Sequence, residues 1–349
     1  MALLLPGVAE GAKWVVKGRG FGHGVGLSQY GAYGFAKHGT GYKRIVGHYF
    51  KGTKVGRSGG TVRVLVGGGE RVSFSGAKRA CGKRLAERKS YRFERSGGGV
   101  ALASAGGDKL ASCGDSGGAR GGSSVSYGGR GAYRGELLAV ATGGGLNAVN
   151  RVGIDDYARG VVTNEMPSSW PGDALKAQAL AARSYALTST VDGDGFDLYD
   201  DTRSQVYEGK SSETKAGNRA VGATAGEVVK DGGRIARTYY FSTSGGRTES
   251  AEFGFPGGGK TSYLKSVRDP YDGTSPYHRW KEKLSQGSME SKLGVAGNLR
   301  KIEIVKRGVS PRIVKARIVG SGGKEMVSGA TLQSRLGLLS SWAKFKKQR

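Results

Sequence analysis

Between Asp155 and Thr190 the chain reads DDYARGVVTNEMPSSWPGDALKAQALAARSYALTST, and the second half of this stretch constrains the fold most. After Gly172 no glycine or proline interrupts it until Gly193, in a chain where 65 of 349 residues are glycine. Ser168 and Ser169 offer N-cap oxygens and Pro171 suits a first turn, so the pattern predicts a helix. Leu175, Ala179, Ala182 and Ala186 recur at helical spacing on one narrow face, bracketed by Lys176 and Arg183 on one side and Gln178 and Tyr185 on the other. The far side carries more Ala and Leu, so little of this helix is built for water, and its small side chains let neighbouring backbones come close. Glu165 stands immediately upstream. A carboxyl beside so dry a helix loses hydration, which disfavours its charged form and makes Glu165 a candidate proton donor.

Elsewhere the abundant glycine follows no G-X-Y period, which predicts many turns in a loop-rich α+β protein rather than a collagen. Lys and Arg outnumber Asp and Glu by 55 to 28, a formal charge of +27. Such a field concentrates polyanions: nucleic acid, anionic lipid headgroups or the acidic polymers of a bacterial wall. The densest basic clusters, 78–95 and 344–349, match no DNA- or RNA-binding motif, so no nucleic-acid partner is expected. Cys81 and Cys113 lack CxxC spacing, and one disulfide in an oxidising compartment is expected, two free thiols being the alternative. No run of 18 apolar residues occurs, so no transmembrane segment is expected. The start, MALLLPGVAEGA, reads as the remnant of an export signal at 1–12 and stands outside the fold.

From Gly18 to Gly26 glycine occupies every second position. If extended, this segment has one face of bare backbone and another carrying Arg19, Phe21, His23 and Val25, which permits close approach of a second backbone or a sugar ring. It leads into Ser28-Gln29-Tyr30-Gly31-Ala32 and a helix-like stretch to about Lys37, followed by Tyr42 to Tyr49 and the turn Lys51-Gly52-Thr53. Residues 60–150 read as a β-rich accessory insertion: TVRVLV, RVSFS, YRFER, GVALA and ELLAVAT run short between Gly and Ser clusters. Beyond the central helix, 220–243 is expected to hold a strand pair around a glycine-rich turn, and 301–306 and 312–319 two strands before a short helix in SGATLQSRLGLLSSW. GFPGGGKT at 254–261 satisfies the phosphate-loop pattern, but without a buried strand before it and a long helix after it the match is expected to be chance.

Tyr157, Gly160-Val161-Val162, Glu165-Met166-Pro167, Trp170, Ala174 through Ala179 and Ala181 through Ala186 together resemble the signature of the stage II sporulation protein D / LytB family. Gly22-His23-Gly24, Ser28 through Ala32, Ser204-Gln205-Val206-Tyr207, Gly209 and Ser242 through Glu249 resemble further blocks of that family, with the Gly-His-Gly block here preceding the Glu block rather than following it. The resemblance implies a peptidoglycan lytic transglycosylase that cleaves the bond between N-acetylmuramic acid and N-acetylglucosamine with formation of anhydromuramic acid, the catalytic acid being Glu165. It implies a substrate pocket from Gln178, Arg183, Tyr185, Gln205 and Tyr207, an opposite wall from His23 and Gln29, and sugar contacts from Ser244 and Glu249. Some relatives carry Cys and His near the 200–204 loop, where they could hold a metal. Here Asp200, Asp201 and Ser204 stand there, so no metal and no cofactor are expected. Asp201 is either a second carboxylate near Glu165 or a cap on its own loop.

The expected architecture is therefore α+β: a mixed helix and antiparallel-sheet catalytic core at 151–345, the Gly-His-Gly segment at 13–55 packed on it, and the insertion at 60–150. The expected partners are peptidoglycan glycan strands, with anionic wall polymers or a cell-wall amidase beside them, and the expected location is extracytoplasmic. The LytB branch implies the alternative, a non-catalytic peptidoglycan-binding enhancer of an amidase.

Overall fold

A computed structural model describes residues 13–191 and 193–348; the apolar start read as an export-signal remnant lies outside the described residues. The chain is α+β with mainly antiparallel sheets, and it divides into two compact units. One, the Glu165 unit, comprises 39–46 and 53–238; the other, the His23 unit, comprises 13–38, 47–52 and 239–348.

In the Glu165 unit one large sheet runs in the order Leu198–Tyr199, Thr61–Gly69, Gly145–Gly153, Glu136–Thr142, Ser116–Tyr127, Arg71–Ala80, Ser90–Ser96, Gly99–Ser104 and Lys109–Gly114. All of these ladders are antiparallel except that of Leu198–Tyr199 on Thr61–Gly69. The five runs expected as strands between 60 and 150 all lie in it, and alternation explains their burial: Val62, Val64 and Val66 point inward while Thr61 and Arg63 face water. Cys81, at the turn after Arg71–Ala80, is disulfide-bonded to Cys113 on the edge strand, Cα to Cα 5.2 Å.

The inward face of this sheet does not close on itself. Val64, Phe74, Phe93, Leu102 and Leu137 belong to one apolar cluster with Tyr157, Val161, Ala182, Ala186 and Tyr207. The boundary drawn at 150 from composition thus runs through a shared core, in which each buried Val, Leu or Phe contributes on the order of 2 kcal/mol. Glycine content changes at 150, but apolar faces on both sides of it meet.

The central helix spans Gly172–Thr188 and is buried on nearly every side, from Ala174 through Ala186. Its N-cap is Pro171 with no side-chain hydrogen bond, so Ser168 and Ser169 do not cap it; Asp173 supplies the acidic group of the first turn. Small side chains bring the next elements onto its backbone: Thr238 Oγ1 donates to the Ala181 carbonyl at 2.7 Å, and Val229 N–H to Ser184 Oγ at 2.8 Å. Part of the stretch expected as a strand near 220 is instead the helix Lys215–Ala223, capped by Thr214, and the hairpin is Glu227–Asp231 with Arg234–Ile235.

In the His23 unit the strand Lys13–Gly18 lies between two partners from the far end of the chain, Trp280–Ser285 and Ala343–Gln348. A second sheet, Leu299–Arg307, Ile313–Gly320 and Lys324–Ser328, packs with the helices Gln286–Leu293 and Gly329–Leu336 on a core of Trp14, Val16, Met289, Ile318 and Leu332. The two tail strands and the short helix entered through Ser328 match the sequence expectation.

The segment 18–26 is not an extended strand. Gly20, Gly22, Gly24 and Gly26 all have positive φ, between 74° and 100°, a region that L side chains rarely occupy. Past Gly18, which still pairs with Trp280 and Ala343, alternation encodes a repeatedly turning backbone with isolated bridges from Phe21 to Thr243 and from Val25 to Glu249. No helix among the described residues is long and apolar enough to cross a membrane.

Candidate functional site

Glu165 owes its position to its neighbours in sequence. The helix Ile154–Arg159 ends at Gly160, one further helical turn covers Val162–Glu165, and Pro167 forces Met166 into the extended region, φ −129° and ψ 139°. The turn therefore stops at Glu165, and the Met166 side chain, 1% exposed, anchors the backbone beside it. The Glu165 side chain is half-buried, and its Oε1 accepts from Val206 N–H at 2.9 Å.

The strand of chain that brings Val206 there is pinned by buried polar groups on both sides. Tyr157 Oη donates to Gln205 Oε1 at 3.0 Å, and Tyr207 Oη to Asn150 Oδ1 at 2.6 Å. Asn150 in turn donates to the carbonyls of Arg134 and Glu136 in the sheet. The rings of Tyr157 and Tyr207 stack at 4.9 Å. Gly160 is what allows this approach, since a Cβ there would lie 2.6 Å from the Tyr207 ring and 2.9 Å from the Gly209 carbonyl. Asn164 closes the other edge, donating to the Gly160 carbonyl at 2.7 Å and to Ser212 Oγ at 2.9 Å.

Val206 and Tyr207 also line a cleft of 490 Å³ with Arg130, Tyr133, Asp200 and Glu208, a volume in the range of small-ligand sites. Burial pushes the Asp200 carboxyl above its ordinary value, with Asp201 adding to the rise and Arg130 and Arg203 opposing it. Tyr133 is pushed up to about 12, first by burial and then by Asp200. Asp201 takes the capping role: its Oδ1 accepts from Arg203 N–H at 2.9 Å and its carboxylate pairs with the Arg203 guanidinium. The shielded second carboxylate of this region is Asp200, lining the cleft.

The other expected pocket residues divide sharply. Gln205 and Tyr207 are buried and act on Glu165 through the backbone they hold. Tyr185 is half-buried against the core cluster. Arg183 is a correction to the expected pocket: it is 0% exposed, and its guanidinium is spent on Asp155, Thr224 Oγ1 and the Val221 carbonyl, clamping the helix Lys215–Ala223 to the central helix. Gln178 is likewise 0% exposed, and neither amide atom finds a hydrogen-bond partner among the described residues.

The four residues expected from the His23 unit point largely inward. His23 Nδ1 accepts from Val25 N–H at 3.1 Å and its Nε2 lies 3.1 Å from the Tyr240 carbonyl, which fixes the Nε2–H tautomer. Burial and the Arg312 charge hold it down at about 4, so the ring is neutral at physiological pH. Its edge lines a separate cavity of 440 Å³ with Phe255, Lys306 and Gln333. Ser244 and Glu249 are corrections to the expected sugar contacts, both 0% exposed. Ser244 Oγ donates to Asp272, and Glu249 accepts from Val309 N–H, Ser310 N–H and Ser310 Oγ. Gln29 opens the helix Gln29–Lys37 and is 8% exposed. Among the described residues no group of three or more His, Cys, Asp or Glu side chains is arranged to hold a metal ion.

Sequence reasoning missed Asn150, Asn164, Arg130, Tyr133 and the cleft role of Asp200. Asn150 alone carried a signal: a polar residue between the apolar Ala148 and Val152 on the same strand face needs a buried partner.

Residues 142–230, which hold Glu165 and all of its bonded neighbours named above, match the family model described as SpoIID, stage II sporulation protein. Stage II sporulation protein D of Bacillus subtilis is 32% identical over 217 residues, covering 57% of this chain and 62% of its own length. An uncharacterised protein of Brachyspira hyodysenteriae is 37% identical over 123 residues, 34% of this chain and 33% of its own. The amidase enhancer of Bacillus subtilis is 37% identical over 134 residues, 38% of this chain and 18% of its own. The chain thus spans less than two thirds of the length of each of these relatives. Residues 142–230 thus carry a SpoIID domain, and the chain is similar in part to stage II sporulation protein D and to the amidase enhancer.

Proposed function

We propose that the protein is a peptidoglycan lytic transglycosylase in which Glu165 is first acid and then base. The observation that carries this reading is a half-buried carboxyl on a backbone fixed by Met166 and Pro167, bonded to Val206, which itself lines an open cleft. Glu165 protonates the bridging glycosidic oxygen, the bond to the anomeric carbon of the muramic residue breaks, and the released sugar leaves with that proton. The resulting carboxylate takes the proton of the muramic C6 hydroxyl, whose oxygen bonds to the anomeric carbon. Glu165 is thereby reprotonated, and the product ends in 1,6-anhydromuramic acid without consuming water. One carboxyl suffices because the nucleophile belongs to the bound sugar, so positioning supplies much of the acceleration. Asp200, which lines the cleft and whose carboxyl burial raises above its ordinary value, is placed for a hydrogen bond with a sugar hydroxyl.

Wall glycan as substrate is in keeping with the +27 charge, the Cys81–Cys113 disulfide and an extracytoplasmic location. Glu165→Gln keeps the shape and the acceptor for Val206 N–H and removes the proton. Wild-type protein incubated with purified sacculi should release soluble fragments, and Glu165→Gln should release them at least 1,000-fold more slowly, the order expected when general acid catalysis is lost. Equal release by the two contradicts the assignment.

The similarity to the amidase enhancer favours one other reading, a wall-bound partner of an amidase with no cleavage of its own. In that case sacculi treated with this protein alone release nothing, while addition of a wall amidase releases more peptide with it than without it.

A further inference from the structure

A second charged feature lies in the His23 unit. In the strand Lys13–Gly18, Lys17 pairs across the sheet with Lys281 on one side and Lys344 on the other, and Val15 pairs with Lys283 and Lys346. Residues opposite one another, and those two apart along a strand, share a face, so Lys13, Lys17, Lys281, Lys283, Lys344 and Lys346 all stand on one face of three strands. All six are exposed. Their stems cover Val15, which is only 5% exposed at the centre of the face. The single acidic residue of the three strands, Glu282, alternates to the other side. Among the described residues no ion pair joins Lys17, Lys281, Lys283, Lys344 or Lys346 to a carboxylate.

Like charges directly opposite each other on adjacent strands destabilise a sheet. A row of Lys281, Lys17 and Lys344, backed by a second row of lysines, is a standing cost that folding alone does not explain. At the Gly18 end of the same sheet a cavity of 400 Å³ is lined by Trp280 and Trp342 together with Lys17, Arg19, Arg279, Lys281 and Lys344. Trp280 is fixed there by its Nε1–H to the Gly20 carbonyl at 2.9 Å, and the Arg19 guanidinium lies 5.3 Å from the Trp342 ring centre. Trp280 alternates to the Glu282 side and packs on the Trp14 core, so it reaches this cavity at the Gly18 edge of the sheet, where the two indoles meet the cations that run along the strands.

We infer that this face binds a linear acidic carbohydrate polymer whose charge lies on phosphodiesters, with a sugar substituent against the indoles and the phosphates along the lysines. Single-stranded nucleic acid is disfavoured because its binding tracks interleave aromatics with cations, so that successive bases stack. Here both aromatics sit at one end. The choice of a wall-type polymer rests on the function proposed above, while the binding face itself does not.

The test is calorimetric titration of a poly(ribitol phosphate) bearing N-acetylglucosamine, at several salt concentrations. Wild type should bind with an affinity that falls steeply with salt. The triple variant Lys17→Gln, Lys281→Gln, Lys344→Gln should bind at least 10-fold more weakly, with a log–log salt slope shallower by about 2, at about 0.7 per lost contact. It should also melt higher than wild type, because a repulsion is removed, and the matching Lys→Arg triple should restore binding. A control triple with the same charge change, Lys83→Gln, Lys89→Gln, Lys109→Gln, should lose less than twofold. Equal losses in the two Gln triples overturn the inference, since net charge alone would then explain binding. So does binding of single-stranded oligothymidylate of equal charge as tight as that of the polymer. Glu165→Gln should bind the polymer as wild type does. A protein that binds through this face yet frees nothing from sacculi contradicts the cleavage reading only, and one that cleaves but binds without regard to the face contradicts this inference only.

Discussion

The two units use polar residues in opposite ways. Around Glu165, buried tyrosine and asparagine side chains are spent on fixing a backbone, and the carboxyl they support stays half-exposed beside a cleft. Around His23 the polar side chains themselves go inward: Glu249, Ser244 and Arg312 are each no more than 1% exposed, and they hold together a segment whose alternate residues have no side chain at all. The first arrangement holds a half-buried carboxyl against Val206, a residue that lines a cleft. The second consumes its titratable groups in stability, so similar-looking motif residues carry different duties in the two places.

If that contrast is right, the largest stability effect should follow from adding a methyl group to the glycine-rich segment. Gly24 has φ +91°, and a Cβ there would stand 2.5 Å from the Arg312 guanidinium carbon. Arg312 cannot retreat, since it donates to the carbonyls of Arg247 and Ser244 and to Ser310 Oγ. Gly24→Ala should cost about 3 kcal/mol, from left-handed backbone strain plus overpacking. Chemical denaturation checks this, and an unchanged midpoint would mean that the segment is not locked as described.

The Glu165 side predicts a smaller loss of stability coupled to a loss of activity. Tyr207→Phe removes the donor to Asn150 Oδ1 and leaves that buried oxygen unpaired, at a cost of about 1–3 kcal/mol. Because Tyr207 positions the backbone that holds Glu165, kcat should fall about 10- to 100-fold at a temperature where the variant remains folded. Arg183→Lys should lower stability without that extra kinetic effect, since Arg183 clamps helices rather than the Glu165 loop.

The smallest effect is a pH dependence confined to the buried groups of the His23 unit. Asp269 is pushed up to about 7 by burial, then by Asp272, and it accepts from Tyr49 Oη at 2.9 Å. An acid raised on folding contributes stability that is fully present below its unfolded pKa and is lost as pH rises through about 7. His23, held near 4, works in the opposite sense, its contribution being present above 6.5 and lost as pH falls toward 4. Over the shared window the two offset each other. Asp269→Asn removes only the first, so its melting temperature relative to wild type should become more favourable by several degrees between pH 5 and pH 8. A difference that does not vary with pH would show Asp269 to be an ordinary carboxylate.

Much of this was legible in the sequence wherever the cause is local. Valines at alternate positions from Val62 to Val66 determine a strand, an uninterrupted alanine-rich run determines the central helix, and Pro167 determines where the turn bearing Glu165 must stop. What stayed hidden depends on partners distant in the chain. Nothing near Arg183 announces Asp155 and the Val221 carbonyl, and nothing near Glu249 announces Ser310. The alternating glycines at 18–26 fit a bare-faced strand as well as a chain of left-handed turns, and only close approach to residues such as Arg312 and Phe241 decides between them. The lysine face is invisible for the same reason, since its six residues come from three stretches brought together by strand register.

The most direct measurement is a mass spectrum of the glycan ends that the wild-type protein releases from purified sacculi with no other enzyme present. Intramolecular attack by the C6 hydroxyl predicts ends lighter by one water than reducing ends, absent when Glu165 is replaced by Gln. Release of ordinary reducing ends, or of anhydro ends by the Gln variant at the wild-type rate, would contradict the role given to Glu165.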